Sequence, residues 1–230
     1  MLIFVTAATP AMSDDAETCV KKILSIDADL RIRACTSVLL DEHRSSEDRS
    51  AAYNNRGVAW KNKGDHDKAI ADYDMAIRLN PKHANAYYNR GIAWNDKGDY
   101  DKAIADYDMA IRLNPKYAKA YNARCWARVV AGRDLPLALA DCNTSLRLRP
   151  NDANTFNSRG LVQFKLGAFD QAIIDYTSAL AQNTKDAGSL FARGVAKLRS
   201  GDRAGGNADI AAAKLIKPAI ATAYGSYGVK

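Results

Sequence analysis

The stretch DKAIADYDMAIRLNPK at residues 67–82 recurs letter for letter at residues 101–116, 34 positions later. Its apolar and small residues return every three to four positions, which predicts an amphipathic helix. The Asn-Pro that follows is typical of a helix end. Because the same side chains are presented twice, the recurrence indicates a repeated surface and argues against a single catalytic constellation.

A unit of this length can be aligned five times along the chain. The units cover residues 50–83, 84–117, 118–152, 153–186 and 187–218. Each has one glycine near its middle, and four of the five close with a proline. The helical periodicity on both sides of that glycine predicts two amphipathic helices per unit. The mid-unit glycines are Gly64, Gly98, Gly132, Gly167 and Gly201, and the prolines are Pro81, Pro115, Pro150 and Pro218.

The large, small and proline positions of the unit resemble the tetratricopeptide repeat. In the first unit they are Tyr53, Gly57, Trp60, Tyr73 and Pro81. The resemblance implies an all-α, right-handed superhelical solenoid of helix-turn-helix repeats over residues 50–218. It also implies that Trp60 and its counterpart Trp94 belong to the core.

The two ends of the chain follow the pattern less well. Residues 14–49 align as a degenerate N-terminal capping repeat that ends in a linker, HRSSEDRS at residues 43–50. Residues 219–230 form a C-terminal tail, for which we predict one more helical turn and then a loose end. Residues 1–13 are apolar and then small, which predicts the remnant of a signal peptide, although no basic residue precedes the apolar run.

An arginine occupies position 7 and an aspartate position 23 of every unit. One interpretation is an arginine ladder that binds acidic ligands. The other, which we expect, is a structural ion pair that ties the two helices of a unit, or one unit to the next, because a forked guanidinium suits a carboxylate. The residues are Arg56 and Asp72, Arg90 and Asp106, Arg124 and Asp141, Arg159 and Asp175, and Arg193 and Asp209.

The four cysteines fall at the same two repeat positions, 8 and 24, in two separate units. They are Cys19 and Cys35 in the degenerate unit and Cys125 and Cys142 in the third. In the family that the sequence resembles these positions face each other, which implies two disulfides; the alternative is that each thiol is a small core residue. Disulfides would indicate export to the periplasm or beyond the cell. The alternative location is the cytoplasm.

Charge and motifs exclude several function classes. The net charge of +7 comes from Lys and Arg spread singly along the repeats, without the basic patch that nucleic-acid binding requires. No apolar run approaches the ~20 residues that span a bilayer, so we expect no integral membrane segment. The three histidines are scattered, and no catalytic or phosphate-binding motif is present. We therefore predict no enzyme activity, metal or cofactor.

The resemblance implies that the first helix of each unit lines a concave groove for a peptide or protein segment. The groove would present amides on one side and apolar residues on the other, with aromatic anchors. Its predicted members are Asn54, Tyr88, Asn122, Trp126, Asn157, Leu161 and Phe191. An alternative for position 9, which includes Trp126 and Leu161, is packing within the first helix.

The predicted function is a non-enzymatic scaffold that binds a protein or peptide ligand in this groove. The alternative is a structural module that forms homo-oligomers through its C-terminal repeat.

Overall fold

The computed structural model describes residues 11–20 and 27–229, and every regular element in these ranges is an α-helix. Residues 1–10, most of the predicted signal segment, lie outside them. The fold-class prediction of an all-α helical repeat solenoid is confirmed. No helix among the described residues has the length and apolar character needed to cross a membrane.

The described residues form two compact units, one up to Leu113 and one from Asn114. The first unit contains α1 (Ala11–Val20), α2 (Ala28–Leu40), α3 (Ser46–Asn62), α4 (His66–Leu79), α5 (Ala84–Asp96) and α6 (Tyr100–Leu113). The second contains α7 (Ala118–Val130), α8 (Leu135–Leu148), α9 (Ala153–Lys165), α10 (Phe169–Leu180), α11 (Ala187–Ser200), α12 (Arg203–Ile216) and α13 (Ile220–Gly225).

The mid-unit glycines end the first helix of each repeat. Gly64 has a φ of 82°, and its N–H donates to the Lys61 carbonyl while that of Asp65 donates to the Trp60 carbonyl. This is the Schellman arrangement, which favours a residue without Cβ. Asp65 then caps α4 by accepting a hydrogen bond from the Lys68 N–H. The glycine turn recurs in all five repeats, and the aspartate cap in the first, second and fifth.

The predicted linker before the first repeat is partly helical. α3 begins at Ser46, because the Ser45 hydroxyl accepts a hydrogen bond from the Asp48 N–H at 3.1 Å. A serine cap with an acidic residue three positions later is a strong helix start. Residues 46–49 are therefore the first turn of α3, and the linker prediction was wrong for them.

Positions 8 and 24 are in contact in each helix pair. A Cβ on Gly57 would lie 2.7 Å from Cε1 of Tyr73, so the glycine makes room for the ring. The same fit joins Gly91 to Tyr107 and Gly160 to Tyr176. In the N-terminal capping repeat and the third repeat, a disulfide takes this place. Cys19 is joined to Cys35 at a Cα distance of 4.8 Å, and Cys125 to Cys142 at 5.6 Å. These are the pairs that the repeat alignment predicts.

The two compact units of the chain, one up to Leu113 and one from Asn114, differ in their cores. In the second, one continuous cluster of buried apolar side chains runs from α7 to Val229. In the first, the buried clusters are small and separate, and one of them lies around the Cys19–Cys35 disulfide.

Candidate functional site

Residues 219–229, which we call the docked segment, pack against the first helices of the third and fifth repeats. The Tyr227 ring meets the Trp126 ring edge-on at a centroid distance of 5.3 Å. Tyr224 lies 5.9 Å from Phe191, and the two tyrosine rings are 5.7 Å apart. Such aromatic pairs add about 0.5–1.5 kcal/mol each beyond the area they bury. The prediction of a loose end was therefore wrong.

A tight turn directs the end of the docked segment inward. Gly228 has a φ of 84°, its N–H donates to the Gly225 carbonyl, and the Val229 N–H donates to the Tyr224 carbonyl at 3.1 Å. This repeats the Schellman arrangement of the repeats, in which the residue after the glycine contacts the preceding turn. Val229 is consequently only 1% exposed and belongs to the core of the second unit.

The Tyr224 hydroxyl fits a defined space beside Gly188 and Asn157. A Cβ on Gly188 would lie 2.2 Å from its oxygen, so the glycine makes room for it. The hydroxyl shares a hydrogen bond with Asn157, whose Nδ2 donates to Ser189 Oγ at 2.7 Å. Burial raises the pKa of Tyr224 to about 12, so the phenol stays neutral at physiological pH.

We call the surface beneath these tyrosines the second-unit groove; its members are Trp126, Asn157, Gly188 and Phe191. Leu161 and Phe191 are 1% and 6% exposed. Asn157 is half-buried and hydrogen-bonded. The predicted groove residues of the second unit are thus not an open surface, because the docked segment lies against Trp126, Asn157 and Phe191.

Two further groups lie on this part of the molecule. Lys165 Nζ donates to the Val129 carbonyl at 2.7 Å, and burial lowers the pKa of the Lys165 ammonium. The Lys165 Cε would lie 3.8 Å from a Cβ placed on Gly228.

Asn122, one turn before Trp126, has a buried Oδ1 with no hydrogen-bond partner among the described residues. A buried acceptor of this kind is an exception that calls for a partner.

The predicted groove residues of the first unit serve the fold. Asn54 is buried; its Nδ2 donates to Asn55 Oδ1, and its Oδ1 accepts from Asn89 Nδ2 at 2.9 Å. Asn55 in turn donates to the Cys19 carbonyl, which links the capping unit to the first repeat. Tyr88 is half-buried with its ring 6.0 Å from that of Tyr107. The Asn54 amide is therefore already committed.

The tryptophans at position 11 lie at the edge of the predicted core, where both pack against the buried cluster that contains Tyr73. Trp60 and Trp94 are both partly exposed. The Lys68 ammonium lies 4.5 Å above the Trp60 ring, and the Lys102 ammonium lies 4.3 Å above the Trp94 ring. Each lysine comes from the second helix of the same repeat, so a cation–π contact covers the ring at the surface.

The arginines of position 7 are engaged within the repeats. Arg159 donates from Nε and Nη2 to both oxygens of Asp175, at 2.8 and 2.7 Å, and from Nη1 to Asn143 of the preceding repeat at 2.9 Å. It thus joins two helices of one repeat and also two repeats, which combines both structural roles considered above. The same two-oxygen contact joins Arg56 to Asp72, Arg90 to Asp106, Arg124 to Asp141 and Arg193 to Asp209.

The sequence contains a signal for the docked segment that the prediction missed. Residues 218–228 follow the pattern of residues 81–91, with proline first, tyrosine at position 4 and glycine at position 8. They are the start of a sixth first helix. Position 7, however, is Tyr227 in place of arginine, and no second helix follows within the described residues. An aromatic residue where every repeat has arginine indicates a different packing partner.

No group of three or more His, Cys, Asp or Glu side chains among the described residues is placed to hold a metal ion.

Comparison with known proteins agrees with the repeat architecture. A family model described as tetratricopeptide repeat matches residues 39–82 and 56–118. No curated protein matches the sequence.

Several solved structures share the fold. A tetratricopeptide repeat protein from Parabacteroides merdae is 16% identical with a TM-score of 0.73, over 95% of this chain and 88% of that one. YrrB, described as a TPR protein with an unusual peptide-binding site, is 20% identical with a TM-score of 0.64, over 86% and 99%. TTC0263 from Thermus thermophilus is 22% identical with a TM-score of 0.63, over 79% and 100%.

Proposed function

The chain belongs to the tetratricopeptide repeat family, and we propose that it is a non-enzymatic scaffold that binds a protein or peptide segment in its second-unit groove. The fold supports a role in protein–protein interaction in general. The finer assignment, a peptide held against Trp126, Asn157 and Phe191, is our proposal.

One observation carries this proposal: the chain seats its own docked segment there. The segment places two aromatic rings and one hydroxyl against this surface, with ring contacts, a hydrogen bond and a glycine that makes room for them. Apolar contacts with a few placed polar groups are what a peptide-binding groove requires. The unpartnered Asn122 acceptor gives such a ligand one further hydrogen bond.

Capture of a partner from the native host tests the proposal. Trp126→Ala removes the central aromatic anchor, and we expect loss of the captured protein, since truncation of such anchors commonly costs 2 kcal/mol or more, roughly thirtyfold in affinity. Trp60→Ala is the matched control, because Trp60 lies on the first unit under Lys68. A partner retained equally by both variants would exclude the second-unit groove as its site.

We further propose that the protein works in an oxidising compartment, outside the cytoplasm. Two disulfides with ordinary Cα distances support this, since such bonds persist where thiols are not kept reduced. The test is the intact mass of the native protein, alkylated without reduction. We expect no alkylated cysteine and cleavage after residue 13; four alkylated cysteines and an intact N-terminus would place the protein in the cytoplasm.

A second candidate function is self-association through the C-terminal repeat. Leu215 and Ile216 at the end of α12 are 87% and 47% exposed, although both are apolar. Neighbouring exposed apolar side chains are typical of contact sites. We expect Leu215→Glu to reduce the mass measured by light scattering if copies pair through this end. An unchanged monomer mass in both proteins would exclude this function.

A further inference from the structure

We propose that the second-unit groove selects partner segments with two aromatic side chains three residues apart, followed by a turn and a buried aliphatic side chain, and that the chain's own docked segment competes with them. The inference rests on the proposed function and deepens it, since it names the chemistry of the ligand and the device that regulates access.

The ligand chemistry follows from the contacts of the docked segment. Tyr227 requires an aromatic partner at Trp126, and Tyr224 requires the space above Gly188 and the hydrogen bond to Asn157. The turn at Gly228 then brings Val229 into the core. A partner that reproduces these three contacts gains the same interactions, whereas a charged or small residue at either aromatic position leaves an apolar surface uncovered.

The docked segment is attached in a way that lets it act as a ligand. Lys217 ends α12 in an extended conformation, and Pro218 and Ala219 after it are exposed. The segment also lacks the arginine that ties every repeat to its own second helix and, in the fourth and fifth repeats, to the preceding repeat as well. Its attachment to the second-unit groove therefore depends on Ile220, Tyr224, Tyr227 and Val229.

A tethered ligand imposes a defined competition. Once the segment is released, a connection of only a few residues keeps it at an effective concentration in the millimolar range. The apparent affinity of an external ligand is lowered by the fraction of molecules whose groove is open. A substitution that weakens the docked segment should therefore strengthen the binding of an external peptide. This is expected even when the substitution removes an aromatic side chain, such as that of Tyr227, and adds no contact to the peptide.

The experiment uses the full chain and a labelled synthetic peptide of residues 217–229, titrated by fluorescence anisotropy. We expect Tyr227→Ala to bind the peptide at least about tenfold more tightly than the unmodified protein. Ser226→Ala is the matched control, because Ser226 is exposed and its hydroxyl donates only within the segment, to the Ala223 carbonyl. A peptide with alanine at both tyrosine positions should not bind, and Trp126→Ala added to Tyr227→Ala should abolish binding.

Hydrogen exchange of residues 219–229 shows whether the segment has been released, and a Tyr224→Ala, Tyr227→Ala variant provides a second opening of the groove. Release without peptide binding would overturn the ligand chemistry, while Trp126-dependent capture of another partner would leave the proposed function standing. A segment that stays protected in both variants, or variants that unfold, would show a fixed structural element and would also overturn the inference.

Discussion

The arginine and aspartate of each repeat form a two-point, charge-assisted link between its helices. The Asp175 side chain is 2% exposed and that of Arg159 is 24% exposed. The buried carboxylate charge therefore depends on the guanidinium to offset its loss of hydration. Removing one partner of a buried pair costs about 3–5 kcal/mol, because the other charge remains buried. We expect this loss of unfolding free energy for Arg159→Ala in urea denaturation.

Lys102→Ala is the matched control for that measurement. Lys102 pairs with Asp99 at the surface, where the two side chains are 58% and 34% exposed. Exposed pairs contribute about 0–1 kcal/mol, and the cation–π contact of Lys102 with Trp94 adds about 0.5–1 kcal/mol at an exposed site, so the control should lose less than Arg159→Ala. A loss below about 1 kcal/mol for Arg159→Ala would mean that solvent screens the repeated pairs and that packing alone holds the helices together.

His83 gives the first unit a pH-dependent contact. The Ser50 hydroxyl donates to the Ala76 carbonyl at 2.8 Å, so the His83 Nδ1, also 2.8 Å from Ser50 Oγ, must carry the proton and donate to it. Burial lowers the pKa of His83 below its ordinary value of 6.5. Below about pH 6.5 the unfolded chain therefore binds a proton that the folded chain does not, and stability falls as the pH decreases.

The second repeat supplies the variant that tests this. Tyr117 occupies the position of His83 in the next unit, so His83→Tyr removes the titration with a residue that the repeat already uses. We expect the unfolding free energy of the unmodified protein to fall more between pH 7.5 and pH 5 than that of the variant, by up to about 1.4 kcal/mol per pH unit. Parallel curves would assign the pH dependence to other groups.

At the scale of helices, positions 8 and 24 show one contact made in two ways. Gly57, Gly91 and Gly160 meet a tyrosine ring, whereas Cys125 bonds to Cys142. A disulfide across 17 residues contributes about 3 kcal/mol by the chain-entropy model. We expect the double variant Cys125→Ala, Cys142→Ala to lose about this much unfolding free energy. In this variant, reductant should no longer change the midpoint of unfolding of α7 and α8.

The neighbouring repeats offer a rescue for that variant. Cys125→Gly with Cys142→Tyr installs the pair that three other units use, and we expect it to recover part of the lost stability while remaining insensitive to reductant. No recovery would show that the third repeat has been shaped around the shorter sulfur bridge.

The helix pairs could be predicted because each boundary has a local cause. A glycine with positive φ ends the first helix of each repeat, and a proline follows the second helix in four of the five repeats. Two elements differed from the prediction, one because a local helix cap was missed and one because its position depends on tertiary packing. The first turn of α3 extends into the predicted linker through the Ser45 cap, and the end of the chain begins like a sixth repeat. What places that end against Trp126 is tertiary packing of Tyr227, which periodicity does not describe.

The predicted groove shows the same distinction. The alignment placed Trp126, Asn157 and Phe191 on one face, and the structure brings them together around the docked segment. The alignment did not predict that the side-chain amides of Asn55 and Asn89 hydrogen-bond to Asn54. Equivalent positions in a repeat array share backbone geometry, but their hydrogen-bond partners depend on which side chains the adjacent repeats supply.

At the scale of the whole molecule, the distribution of the core predicts where stability lies. Helices α3–α6 and α9–α12 each span two repeats, contain two of the Arg–Asp pairs and lack disulfides. They differ in buried apolar side chains. The former rely on alanines with Ile70, Tyr73 and Tyr107, whereas the latter add Leu161, Val162, Phe164, Leu180 and Phe191.

Repeat stability is approximately a sum of intrinsic and nearest-neighbour terms, so the larger buried apolar area should make α9–α12 the more stable group. We expect native-state hydrogen exchange to be slower in α9–α12 than in α3–α6, because amides exchange from the least costly opening that exposes them. Tyr227→Ala provides the internal check, since it should speed exchange in α11 and leave α3–α6 unchanged. Equal protection of both groups would mean that local helix propensity and the Arg–Asp pairs, which they share, determine stability more than the core does.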